Sequence, residues 1–440
     1  MRNNYLLLKI FPLTVLCLFS ACMAAPNRDL QPAVSRAVSS TEETSNNETM
    51  PNYKMISSPD GIIYTGVAQV DNGFYELVFA KDVISGAQNI VYTDFQSLHR
   101  VFLSSDINSD HQSENDTSYL PAAVGGAGIL TDGNYIYILK KGSLLLQDSY
   151  GEMAKPCIYR ANLDGSNRMV LNLPFDQAIS STSGVFSDGN CLFLLIDVVH
   201  PDATNHQELI CADFSAQRIT TLIEFSHTDL DSQNLALVSS FEDKLVLSSL
   251  QINDEMDRFE QTLYTLDPVE ETLTPLVHFS PETQYIFFQN GNIYYLELSE
   301  NALYRFDPEN GKSELLLPQL SPPGLAFDAV QIGNSAPEPY LAFRFTVGED
   351  SVNYYWNRDT DEWKREKLVD GDREVHIFGI WQDYFLVMLQ DKTVSYQDFT
   401  SNGQVYENQM SVTEYALISQ EDYWDGTPNY LRISDDVYGS

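Results

Sequence analysis

The stretch "CIYRANLDGSNRMVLNLP", Cys157 to Pro174, sets a short alternating apolar run, an Asp-Gly turn and a second apolar run within a few residues. Period-two alternation around Asp, Gly, Asn or Pro is the sequence form of a β-hairpin, because successive side chains point to opposite faces and the turn needs residues that tolerate unusual φ. The pattern recurs. Related stretches are "IVYTDFQSLHRVFL" (90–103), "LICADFSAQRITTLI" (209–223), "LYTLDPVEETLTPLV" (263–277) and "LYRFDPENGKSELLL" (303–317), with weaker copies at 352–369 and 394–409. Aligned on the turn, the seven fall at Asp94, Asp164, Asp213, Asp267, Asp307, Asn357 and Asp398.

Upstream of each hairpin lies another apolar strand, commonly entered through an Asp-Gly-Asn type of turn: "NGFYELVFA", "DGNYIYILKK", "DGNCLFLLID", "EDKLVLSSL", "NGNIYYLEL", "EPYLAFRF" and "QDYFLVML". Most of these follow one more short strand, such as "GGAGIL" or "SGVFS". Four strands per unit of about 40 to 50 residues is the blade of a β-propeller, whose sheets pack face to face around a central channel. A single blade cannot bury both its faces, so the closed ring supplies the stability. The reading is therefore an all-β chain forming a β-propeller of about seven four-stranded blades, with eight as the alternative. The eighth is kept open by "EYALISQEDYWDGTPNYLRIS" (414–434), which reads as a first and second strand without a hairpin. That segment is expected to share a blade with "NYKMIS" (52–57) and so lock the ring by pairing the two chain ends.

The run from Ile158 to Leu171 resembles the low-density-lipoprotein-receptor-like propeller repeats, also found in bacterial surface proteins. The receptor repeats' Tyr-Trp-Thr-Asp signature is replaced by "YIYILKK", so the resemblance implies a propeller and brings no receptor ligand site with it.

The N-terminus gives an address. Arg2 and Lys9 precede an apolar run, Ile10 to Phe19, too short to span a bilayer comfortably, which is the layout of a secretory signal. It ends in Phe19-Ser20-Ala21-Cys22, which resembles the lipobox of bacterial lipoproteins, although Phe19 stands where Leu is usual. The resemblance implies removal of residues 1–21 and lipidation of Cys22; cleavage after Ala24 by an ordinary signal peptidase is the other reading. Residues 22–51, rich in Ser, Thr, Asn, Glu and Pro, cannot bury enough apolar surface to offset their ordering entropy and are expected to be a flexible tether. The propeller is then assigned to 52–440, in the extracytoplasmic bacterial envelope, held to the membrane by lipid alone.

The chain carries 25 Lys plus Arg against 62 Asp plus Glu, a formal charge of −37 that disfavours nucleic acid and anionic headgroups as partners. Of the five cysteines, Cys17 leaves with the signal and Cys22 takes the lipid; Cys157, Cys191 and Cys211 remain, an odd count that gives no disulfide framework. Cys191 and Cys211 fall on neighbouring strands, where one bridge is conceivable.

Motifs for chemistry are sparse. His99, His111, His200, His206, His227, His278 and His376 form no short-spaced ligand cluster, and His200 and His206 read as part of a loop. "DINSDHQSEND" places Asp106, Asn108 and Asp110 as a calcium loop begins, but has His111 at the glycine position and Thr117 where the bidentate glutamate belongs. Gly125, Gly126 and Gly128 lack the order of a nucleotide loop and suit a turn or a close approach to the channel. The acidic pairs Asp254–Glu255, Asp361–Glu362 and Asp435–Asp436 would serve a glycosidase only if two carboxylates faced each other across the channel. No catalytic, cofactor or metal residue is assigned. The expected function is a non-enzymatic platform for an extracellular protein, peptide or glycan; the alternative is an extracellular polysaccharide hydrolase or lyase using channel carboxylates.

Overall fold

The computed structural model describes residues 52–437 apart from 58–66, 81–86, 106–108, 112, 114, 122–125, 144–150, 201–203, 229, 231–233, 254–257, 281–283, 334–335, 372, 390–391, 400–404 and 435–436. Residues 1–51, with the expected signal, Cys22 and the expected tether, lie outside the described residues.

Six of the seven hairpins close by one local device. The Asp or Asn that opens the turn accepts backbone N–H groups two or three residues on: Ser97 to Asp94 (2.7 Å), Ser166 to Asp164 (2.9 Å), Ala216 to Asp213 (2.9 Å), Glu270 to Asp267 (3.0 Å), Glu309 to Asp307 (3.0 Å) and Thr360 to Asn357 (3.1 Å). In five of them the fourth residue on is left-handed: Leu98, Gln217, Glu271, Gly311 and Asp361 have φ of 51° to 66°. A short side chain that bonds its own turn makes the reversal where the alternation stops.

These hairpins are the outer halves of antiparallel sheets that form seven four-stranded blades, at 67–102, 127–172, 177–224, 234–279, 284–317, 329–365 and 377–432. The opening stretch is the outer hairpin of blade two, Cys157–Asn162 paired with Met169–Asn172. Every second strand read from the sequence stands where expected. The first strand of each blade faces the ring axis, while fourth strands such as Arg218–Glu224 and Lys312–Leu317 face solvent. Each junction between blades carries its own apolar cluster, for example Leu139, Ile158, Leu194 and Ile210 between blades two and three, and Tyr294, Leu303, Phe343 and Phe345 between blades five and six. Burial between sheets, not within one, holds the ring.

Two expectations are corrected. The hairpin centred on Asp398 is not the outer half of a blade: Lys392–Phe399 and Val405–Val412 pair only with each other, as a two-stranded excursion from blade seven. The third and fourth strands of that blade are Tyr415–Ser419 and Leu431–Arg432, joined through the helix Gln420–Asp425. The near-continuous apolar run "YALIS" is buried on both faces, as a middle strand must be. The blade count is therefore seven, not eight.

The N-terminal strand Lys54–Ser57 does not join blade seven. It pairs antiparallel with Val185–Ser187, the axis-facing strand of blade three, on an edge left free by that blade's own four strands. The ring closes instead by contacts between blades one and seven, mostly of side chains. Gln69 Nε2 donates to the Ile380 carbonyl (2.7 Å), Phe74 packs edge-on against Tyr415 (5.0 Å between centroids), Phe95 meets Trp381 (5.4 Å), and the Ser434 N–H donates to the Leu98 carbonyl (2.8 Å).

Cys191 and Cys211 lie on paired strands but are offset, Cys211 facing Phe193 and Cys191 facing Asp213; both are free thiols, as is buried Cys157. Among the described residues no helix is long and apolar enough to cross a membrane.

Candidate functional site

The turns between first and second strands gather at one end of the ring, and the chain enters the axis there. Tyr53, 3% exposed, sits edge-on to Phe193 (4.8 Å) at the junction of blades three and four, and its carbonyl accepts from Ser240 Oγ (2.6 Å). Burial first, and then the charges of Asp188, Asp267 and Asp243, push the Tyr53 phenol far above its ordinary range, so it stays protonated. Lys54 Nζ donates to the carbonyl of Asp132 in blade two (3.2 Å). The Asp132 carboxylate in turn accepts from Tyr137 Oη (2.8 Å) and from the amides of Asn134 and Tyr135, which fixes the turn that offers that carbonyl. At Gly184 an added Cβ would lie 2.6 Å from the Leu237 carbonyl and 3.1 Å from Met55 Cε, so only glycine lets blades three and four and the strand approach this closely.

Beside this mouth, at the seam of the ring, lies a groove of about 470 Å³ lined by Gln69, Val70, Asp71, Asn72, Ile380, Trp381 and Gln382. It is walled by amides, aliphatic groups and one indole, with a single carboxylate. Trp381 packs against Phe95 (5.4 Å) and Tyr384 (6.1 Å). Amides that both donate and accept, set next to a fixed aromatic face, suit a polar ligand with an apolar face.

A second pocket, of about 320 Å³, opens at the other end of the ring between Asp370, Arg373, Glu374, Val375, His376, Phe378, Met388 and Leu389. Behind it Glu366, its side chain 2% exposed, accepts from Asn353 Nδ2 (2.7 Å) and Tyr423 Oη (2.9 Å), and His376 Nδ1 lies 3.4 Å away. The hydrogen bond to Glu366 raises the His376 pKa above its ordinary value against the opposing effect of burial.

The residues singled out from sequence have mainly structural surroundings. His206, expected in a loop, belongs to the strand Asn205–Asp213, because the hairpin of blade three continues its pairing to Val199↔Asn205. It lies between His200 (2.9 Å) and Glu208 (3.1 Å). His99 meets Ser434 Oγ (3.1 Å) and His278 meets Thr262 Oγ1 (3.0 Å); the side chain of His227 lies outside the described residues. Of the calcium-like loop, Asp106 and Asn108 lie outside the described residues. Asp116 bonds the loop to itself, accepting from Ser104 Oγ (2.8 Å) and from the amide of Ser118 (2.6 Å), with His111 Nδ1 at 2.9 Å. Burial alone would raise its pKa, but hydrogen bonds from Ser109, Ser118 and Ser104 outweigh it and hold the group well below the usual carboxylate range.

Gly126 adopts φ of 96° just before the axis-facing strand Ala127–Thr131, which contains Gly128; Gly125 lies outside the described residues. Of the acidic pairs, Asp254–Glu255 and Asp435–Asp436 lie outside the described residues. Asp361 accepts from Trp356 Nε1 (2.9 Å) and Glu362 pairs with Lys364 (3.4 Å), both on the outer hairpin of blade six and away from the axis. Among the described residues no group of three or more His, Cys, Asp or Glu side chains is placed to hold a metal ion. Sequence reasoning missed both pockets and the place of the strand Lys54–Ser57: the seam groove joins 69–72 to 380–382 and the strand pairs with Val185–Ser187, while the second pocket is built within residues 370–389.

No family model matches the chain, and no curated protein matches it. Among solved structures it is similar to TolB from Acinetobacter baumannii, with 12% identity, a TM-score of 0.34, and 81% of this chain and 77% of that one covered. It is also similar to an oligogalacturonate lyase from Vibrio parahaemolyticus (12%, 0.41, 77% and 93%) and to the β-propeller domain of the Trilobed protease from Pyrococcus furiosus (13%, 0.36, 71% and 96%). With identities this low and TM-scores below 0.5, none of these likenesses says what the chain does.

Proposed function

We propose that this chain is a lipid-anchored protein of the bacterial envelope whose propeller binds an extracellular protein, peptide or glycan without transforming it. The observation that carries the binding reading is the seam groove, where Gln69, Asn72 and Gln382 surround Trp381 and Ile380 with only Asp71 as a carboxylate. A hydrolase or lyase working with channel carboxylates needs at least two placed against each other, and this groove does not bring two together. The lipobox-like Phe19-Ser20-Ala21-Cys22 and the Ser- and Thr-rich 22–51 support display on a tether, and the receptor-like run Ile158 to Leu171 fits a surface propeller.

Two tests address the two halves of the reading. The Cys22→Ser form is expected to leave the membrane fraction, with loss of label from a radioactive fatty acid; retention of the variant without label would remove the anchor. For the platform, an array of bacterial surface polysaccharides and short peptides is the probe. The Asn72→Ala/Gln382→Ala variant is expected to lose at least about tenfold in affinity for the ligands that wild type retains, the order of two hydrogen bonds. Equal retention, or cleavage of a retained polysaccharide by wild type, would overturn a non-enzymatic site at the seam.

A further inference from the structure

The strand Lys54–Ser57 is seated in the ring without being part of any blade. Blade three has its own four main strands and the short Gln177–Ile179, which also pairs with Cys191–Val199; the N-terminal strand is the sixth of this sheet, on the free edge of Val185–Ser187 through the registered pairs Lys54↔Ser187, Met55↔Phe186 and Ser57↔Val185, with an irregularity between Met55 and Ser57. The seam between blades one and seven closes the ring without it. What the segment does touch is distributed as a ligand's contacts are: Tyr53 in the junction of blades three and four, Lys54 on the Asp132 carbonyl of blade two, Met55 against Gly184 and toward Gly291 of blade five. Backbone pairing along an edge with pockets for particular side chains is how sheets recognise extended peptides.

We infer that the axial edge of blade three is an acceptor for an extended, cationic peptide of a partner protein, with an aromatic, a basic and a flexible apolar residue in succession, and that Tyr53-Lys54-Met55 occupies it in cis. Charge selects this occupant over a neutral or acidic one. Asp188 and Asp243, in the turns between first and second strands of blades three and four, and Asp267 of blade four lie close enough to Tyr53 to act on its phenol, and the whole chain carries −37, which concentrates cationic segments at the mouth. The cis segment competes at an effective concentration of about millimolar, since it is joined to blade one by a short connection. A partner therefore succeeds by having more residues to pair or a higher charge, not by finding a vacant edge. This inference deepens the platform reading and rests on it.

The test uses the full chain. A fluorescein-labelled peptide with the sequence of residues 51–58, PNYKMISS, is titrated against wild type and against Tyr53→Ala/Met55→Ala, which weakens the cis occupant. Anisotropy is expected to show at least about tenfold tighter binding to the variant, and binding is expected to fall when the peptide's lysine is replaced by glutamate. Equal affinity for both proteins, or no binding to a variant whose circular dichroism and melting match wild type, overturns the inference. Should the variant not fold, a protease site inserted between residues 58 and 66 of the otherwise unaltered chain allows cleavage after folding. Excess unlabelled peptide is then expected to release the N-terminal fragment on gel filtration, and its retention overturns the inference. Loss of array ligands by the Asn72→Ala/Gln382→Ala variant does not depend on either result, so the two readings fail separately.

Discussion

Phe74→Ala is expected to cost about 3–5 kcal/mol, as for other large-to-small changes of a buried aromatic, and to open the ring at one place. Phe74 is fully buried, packs on Phe95 and Tyr415, and belongs to the cluster that joins blade one to blade seven. Every other pair of neighbouring blades is also covalently joined by the chain running from one to the next. Blades one and seven are ends of the chain, and no described strand is shared between them. Loss of packing at this seam is thus limited by the remaining noncovalent contacts alone, such as Gln69 on the Ile380 carbonyl and Ser434 on the Leu98 carbonyl, whereas the same loss elsewhere is also restrained by the connecting segment.

Phe345→Ala, at the equally buried junction of blades five and six, is the matched control. Chemical denaturation is expected to give similar costs for the two. Hydrogen exchange should separate them: the Phe74 variant should lose protection in Val67–Val70 and Ile377–Trp381 at denaturant concentrations where the remaining blades stay protected. If both variants raise exchange at the seam equally, or neither does, the seam is not the weak point and closure must come from elsewhere.

The elements legible in the sequence are those whose signals are local. An alternating strand, a turn-opening Asp or Asn and a second alternating strand describe themselves within about fifteen residues. Hence the hairpins at Asp94, Asp164, Asp213, Asp267, Asp307 and Asn357 stand as read. The same local rule misled at Asp398, because a two-stranded excursion obeys the same alternation as a blade's outer half; only long-range pairing tells them apart. The apolar density of "YALIS" was the available sign that Tyr415–Ser419 had to be the covered strand. Nothing local places Lys54–Ser57, which pairs through three of its residues with a strand more than a hundred positions away. The seam groove and the Glu366 junction were hidden for the same reason. Gln69 and Gln382, or Glu366 and His376 with Tyr423, become neighbours only when the ring and its last blade are built.

Glu366 makes the second large prediction, and it carries a pH signature. Its side chain is surrounded by donors, Asn353 Nδ2, Tyr423 Oη and His376 Nδ1, in a junction where Tyr423 is fully buried and its phenol pushed far up by that burial. Glu366→Leu removes the acceptor of all three. Asn353 keeps Glu374 (2.6 Å) and Tyr423 keeps the Val375 carbonyl (2.7 Å), so the expected loss is about 3 kcal/mol rather than the sum of three severed bonds. The histidine decides how that loss varies with pH. Its folded pKa is raised, chiefly by the hydrogen bond to Glu366, so its contribution is present in full below the unfolded value near 6.5 and disappears as pH rises through the folded value above it. The Glu366–His376 pairing is therefore strongest on the acid side of neutrality, in contrast to the carboxylate Asp116, whose lowered pKa stabilises at higher pH. Measured as the difference between wild type and His376→Gln, which cancels the pH response of the rest of this acidic chain, the extra stability should be larger at pH 6 than at about pH 9. In a histidine-resolved NMR titration, Glu366→Gln should bring the His376 midpoint down. A midpoint unmoved by Glu366→Gln, or a difference that grows with pH, would show that the charge on His376 is set by Glu374 or by solvent and not by the buried carboxylate.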